Sequence, residues 1–183
     1  MALLRAVDQA LDQLNESARA ALEAGSGAAP HLRLRVLPSF AQRWLLPRMG
    51  DWHARHPAIA LELHTSQHLV DLQREGFDAA LRQGSGPWRG LLADRLLDSP
   101  LIALGTPAAA RRLAGRGIAA LAEEPLLGAP KLWERFFALA DCPVPVNPVA
   151  SFNDAGLMLQ AAEQGIGVAL GRELFAADAL RES

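Results

Sequence analysis

Hydroxyls, an amide and a guanidinium recur in this chain at one kind of place, just past a short apolar run. Ser39 follows the run of Leu32, Leu34 and Val36; Thr65 and Ser66 follow Ile59, Leu61 and Leu63; Arg82 and Gln83 follow Phe77 to Leu81. In an open parallel sheet, ligands bind outside the carboxyl ends of the strands, where adjacent crossovers part. Those positions therefore read as one polar rim. Ser39 and Ser66 also precede predicted helices, whose free N–H groups and dipoles suit a carboxylate or a phosphate. Helix capping accounts for each hydroxyl taken singly. Their coincidence at one edge points to a small anion as guest.

Other chemistry is poorly represented. The chain contains no GxSxG elbow, Walker loop, HExxH or CxxC, so no catalytic residue is assigned and an enzyme is not expected. His53 and His56 are three apart and His64 and His68 four apart, but His64 ends a strand while His68 enters the next helix. Neither pair has a further ligand at helical spacing, so no metal site is assigned. Gly165-Ile166-Gly167 precedes a strand, whereas a dinucleotide fingerprint needs a helix after it, so no cofactor is expected. Trp44, Trp52, Trp88 and Trp133 read as packing residues. Cys142 is the single cysteine; it can form no internal disulfide and fits a reducing cytoplasm.

The elements that must position the rim follow from periodicity. The chain has 183 residues, 50% hydrophobic and 21% charged, enough for one domain or two small lobes. Its 18 basic and 20 acidic residues leave a formal charge of -2, too little positive field to make nucleic acid a direct partner. Leu4, Val7, Leu11, Leu14, Ala18 and Ala21 recur at spacings of three and four, an a/d seam fit to dock on a partner helix or on its own domain. Asp8, Asp12 and Glu16 within that pattern exclude a signal-peptide core or a membrane span. A tether, Gly25 to Pro30, follows.

From Leu32 onward the pattern is strand, helix, strand, helix, strand, which implies right-handed crossovers and a parallel α/β sheet. Ser39 to Gln42 reads as a capping box opening the first helix, with Ala41, Leu45, Met49 and Trp52 as its buried face and a kink at Pro47. Thr65 to Gln67 is expected to open the second helix and Gly76 to close it. In the second half, strands are expected at 100–104, 146–150 and after Gly167. Helices are expected after Thr106-Pro107, over 131–140, and from Ser151 through Gln164.

The stretch LRLRVLPSFAQRWLLPRMGDWHARHPAIALEL, with FDAALRQGSGPWRG and SFNDAGLMLQAAEQGIGVALGRELFAADAL, resembles the effector-binding domain of LysR-type transcription regulators over about residues 30 to 180. The branch of glycine-cleavage and β-lactamase-induction activators is the most similar. The resemblance implies a two-lobed, type 2 periplasmic-binding-protein-like α/β fold with parallel-rich sheets, preceded by a linker helix. Lobe I would take 30–84 plus about 168–183, lobe II 85–167, and the linker 1–24. By position it implies effector contacts at Ser39, Phe40, Thr65, Ser66, Arg82, Gln83, Phe152, Asn153 and Asp154, in a cleft between the lobes. A carboxylate at Asp154 would discourage an anion close by, which leaves a zwitterionic guest or one seated nearer the first lobe. The implied partners are a small-molecule effector, a second copy in a cytoplasmic dimer or tetramer, and promoter DNA through a winged helix-turn-helix before Met1. A strand and helix finishing lobe I are likewise expected beyond Ser183. The alternative reading, a transporter's solute-binding protein, should carry a secretory signal and no heptad seam.

Overall fold

The computed structural model describes residues 31–68 and 71–182. The heptad seam of Leu4, Val7, Leu11, Leu14, Ala18 and Ala21 lies outside them. The chain divides into two compact units after Asp98.

In the first unit, β1 (His31–Val36), β2 (Ala60–Thr65) and β3 (Ala79–Leu81) form a three-stranded sheet of order β2-β1-β3. Both pairings are parallel, as the strand-helix alternation predicts. Period-two alternation along β1 puts Leu32, Leu34 and Val36 in the core and Arg33 and Arg35 on the opposite face. Val36 pairs with Thr65 on one side and Leu81 on the other, so the carboxyl ends of all three strands are level.

The β1–β2 connection is broken into short pieces. Helix α1 (Pro38–Phe40) passes into a wide turn at Ala41–Leu45, a 3-10 turn at Leu46–Arg48 and helix α2 (Met49–Arg55). Pro47 is the cause, because it has no N–H to donate back along the helix. The backbone widens before it, where the Leu46 N–H bonds to Ala41 O, and tightens after it, where the Met49 N–H bonds to Leu46 O. Ala41, Leu45 and Trp52 are buried as expected, joined by Trp44, while Met49 is half-buried.

Two expected caps are corrected. Ser39 caps nothing: Leu37 occupies the N-cap position without a side-chain bond, and Pro38 starts the helix one residue early. Proline's fixed φ and missing N–H suit that first position, which moves Ser39 into the buried first turn. The second helix, α3 (Leu72–Glu75), is capped by Asp71, whose side chain accepts the Arg74 N–H at 3.1 Å. Ser66 instead closes a turn by accepting the His68 N–H at 3.0 Å, and Thr65 is the last residue of β2. Gly76 ends α3 with φ 69°, a conformation that costs glycine little.

The second unit is a mixed sheet of β4 (Leu101–Leu104), β5 (Leu126–Leu127) and β6 (Val168–Arg172) in the order β4-β6-β5. β5 pairs with β6 in parallel, but β4 runs antiparallel to it. The segment from 168, expected in lobe I, is therefore the central strand of the second sheet. Helix α4 (Pro107–Leu113) has the expected Thr106 cap and Pro107 start, and α5 (Pro130–Leu139), α6 (Ala155–Glu163) and α7 (Ala177–Glu182) follow. The strand expected at 146–150 shrinks to one bridge between Leu127 and Ala150, since Pro148 cannot donate to a ladder. Trp133 and Phe137 of α5 anchor the core with Leu126, Val168 and Leu170.

Candidate functional site

The level strand ends set the geometry of the candidate site. With Val36 flanked by Thr65 and Leu81, the residues that follow them leave the sheet along one edge. The Ser66 N–H donates to Val36 O at 3.0 Å, which ties the turn after β2 to the end of β1. Arg82 leaves β3 on the far side of β1 and donates from Nη1 to Ser66 O at 2.8 Å and from Nη2 to His68 O at 2.5 Å. Its side chain thus passes the carboxyl end of β1 and braces the turn after β2. Burial, and then the charge of Arg35, hold the Arg82 guanidinium below its ordinary value. Arginine starts so high that the group keeps its charge.

Ser39, Phe40, Thr65, Ser66, Arg82 and Gln83 accordingly gather at one end of the first sheet, with Thr65 and Gln83 exposed, Ser66, Phe40 and Arg82 half-buried, and Ser39 buried. Phe40 is held in place by Trp44, stacked at 4.8 Å between centroids, and the Arg48 guanidinium lies over the Trp44 ring at 5.0 Å. Trp44 was missed as a supporting residue, although the spacing Phe40, Trp44, Arg48 marks one helical face. Phe152, Asn153 and Asp154 belong to the second unit. Asp154 is the cap of α6, accepting the Leu157 N–H at 3.0 Å, so a local task already explains its carboxylate.

Among the described residues, no cluster of three or more His, Cys, Asp or Glu could hold a metal ion, and no helix is long and apolar enough to cross a membrane. His64 bonds to Glu62, and the His68 carbonyl holds Arg82.

Residues 25–183 match the family described as the LysR substrate binding domain. The chain belongs to that family. The LysR domain here is 38% identical over 157 residues to the HTH-type transcriptional activator AmpR of Pseudomonas aeruginosa, covering 83% of this chain and 52% of the relative. It is similar to the solved effector domain of that AmpR at 36% identity and a TM-score of 0.69, covering 83% of this chain and 75% of that one. Similarity to the AmpR effector-binding domain from Citrobacter freundii is 27% identity with a TM-score of 0.70, over 83% of this chain and 77% of that one. The chain spans about half the length of the curated relatives it matches. Its parallel-rich sheets and flanking helices are those of the type 2 periplasmic-binding-protein-like fold.

Proposed function

We propose that this LysR substrate-binding domain senses a small carboxylate-bearing or zwitterionic metabolite at the carboxyl edge of its first sheet. The observation that carries the reading is the alignment of three parallel strand ends, which delivers Ser39, Thr65, Ser66, Arg82 and Gln83 to one edge. Hydroxyls and an amide at such an edge orient a guest, and a guanidinium supplies charge. In the parent protein, the effector would shift the population of domain conformations and so alter how a DNA-binding domain elsewhere in a cytoplasmic homo-oligomer meets its promoter. Relatives named as transcriptional activators support a sensor over a transporter's solute-binding protein, and none supports an enzyme.

A thermal-shift screen of amino acids, aromatic acids and cell-wall fragments tests the proposal, because a ligand of the folded state raises the melting temperature. Ser39→Ala or Thr65→Val is expected to weaken the hit by about 3- to 10-fold, the worth of one lost hydrogen bond. Unchanged affinity in both variants sinks the site assignment.

A further inference from the structure

Gln83 stands on the one part of the first sheet's rim that backbone bonding does not fix. Ser39 and Phe40 lie in a helix, Thr65 ends a strand, and the Ser66 N–H is tied to Val36 O. Arg82 is held by its own guanidinium, on Ser66 O at 2.8 Å and on His68 O at 2.5 Å. The chain then runs exposed through Gln83, Gly84, Ser85, Gly86 and Pro87, and no hydrogen bond among the described residues anchors 83–86. An amide on a loose segment must be ordered when a guest arrives, which subtracts from affinity.

What the segment has instead is an aromatic ring. A Cβ built on Gly84 would lie 3.0 Å from Cζ2 and 3.2 Å from Cη2 of Trp88, and one on Gly86 would lie 3.4 Å from Cδ1 and 3.5 Å from Nε1. The six-membered ring of the half-buried indole thus covers Gly84, and its five-membered ring covers Gly86. A side chain at 84 would push the ring away, because carbon atoms prefer a wider separation. Gly86 also takes φ 67°, which glycine adopts at little cost. Two glycines therefore let backbone and ring close on each other. The far end is fastened as well, since the Leu91 N–H donates to Trp88 O at 3.2 Å.

We infer that Trp88 is a positioning residue, whose indole clamps the segment 83–87 and so presents the Gln83 amide at the carboxyl edge of the first sheet. This role rests on the reading that a guest binds at that edge, and it supplies the means by which Gln83 is ordered there beforehand. Ordering in advance spares the guest that cost. Indole suits the task, since it covers a large area with only two side-chain torsions to fix.

The clamp itself is tested without a guest, by backbone nitrogen-15 relaxation of the full chain. Order parameters at Gly84, Ser85 and Gly86 should be near the rigid value of about 0.85 in the wild type and fall below about 0.6 in Trp88→Ala. Gly84→Ala, which displaces the ring without removing it, should lower them too, and Trp88→Phe should keep them higher than Trp88→Ala does. If Trp88→Ala does not fold, Gly84→Ala and Trp88→Phe decide. Affinity is then measured by calorimetry for the free amino acids and for benzoate. Gln83→Ala and Trp88→Ala should each weaken the probe that responds by about 3- to 10-fold. The double variant should lose no more than Gln83→Ala alone, because both changes act through one amide. Additive losses, or order parameters unchanged in Trp88→Ala, overturn the inference. Weakening by Ser39→Ala without weakening by Trp88→Ala overturns it while the sensor reading stands. If no probe binds the wild type, the sensor reading loses its support, and the order parameters still decide whether Trp88 holds the segment.

Discussion

The two units build a sheet of the same size by different means. In the second, β6 reads Val168-Ala169-Leu170-Gly171 with no polar alternation, and all four residues are buried. In the first, β1 alternates leucines with arginines, and only one of its faces is core. A central strand covered on both sides has nowhere to present polar groups; one covered on a single side keeps its other face and its carboxyl edge for interaction. The second unit is thus organised around packing and the first around polar contacts, and that is where the candidate chemistry lies.

Mutations in the second unit should therefore cost the most stability. Trp133→Ala removes a fully buried indole whose Nε1 donates to Leu127 O at 2.8 Å, and about 3–5 kcal/mol should be lost in chemical denaturation. A loss below about 1 kcal/mol contradicts a core centred on α5. Gly167→Ala comes next. A Cβ there would sit 2.4 Å from Pro125 O, against backbone that pairs with β6, so about 1–3 kcal/mol of overpacking strain should appear as a lower denaturation midpoint.

Changes in the first unit should be smaller in stability and larger in function. Arg82→Ala frees the carbonyls of Ser66 and His68; it should cost about 1–2 kcal/mol and speed amide hydrogen exchange in the turn after β2. Unaltered exchange there shows that Arg82 is no brace. Asp154→Ala, its counterpart in the second unit, should cost about 1 kcal/mol by unfastening α6, and Asp154→Asn should restore most of it.

The smallest effect concerns acid. The hydrogen bond from His64, assisted by Arg33, holds the half-buried Glu62 carboxyl below its ordinary value. A depressed carboxylate adds stability above the ordinary carboxylate range, and that contribution is lost as pH falls through the lowered value. Wild type should therefore lose slightly more melting temperature than Glu62→Gln between neutral pH and pH of about 3. Parallel curves show that the contact adds nothing to the fold.

Much of this was legible in local patterns. Alternation exposed β1 and β2, Thr106-Pro107 and Gly76 marked helix boundaries, and Pro47 announced a distorted helix. Misreadings arose where two residues competed for one task. Pro38 displaced Ser39 as the start of a helix, and Asp71 displaced Ser66 as a cap, because a side chain's choice among nearby N–H groups depends on where the backbone begins to coil. Pro148 demoted a predicted strand for the lack of one N–H. The rim at Ser39, Thr65 and Arg82 was visible as a list of polar residues after apolar runs; that Arg82 reaches across β1 was not.

Periodicity, proline and glycine act within a few residues, so the sequence by itself determined the order of elements, the two faces of β1 and the family to which the chain belongs. Tertiary structure alone decided that β6 sits between β4 and β5, that three strand ends are level, and that Arg82 reaches past the end of β1 to the carbonyls of Ser66 and His68. Those outcomes depend on pairings between segments far apart in the chain, whose register emerges only when the faces compete for the same core.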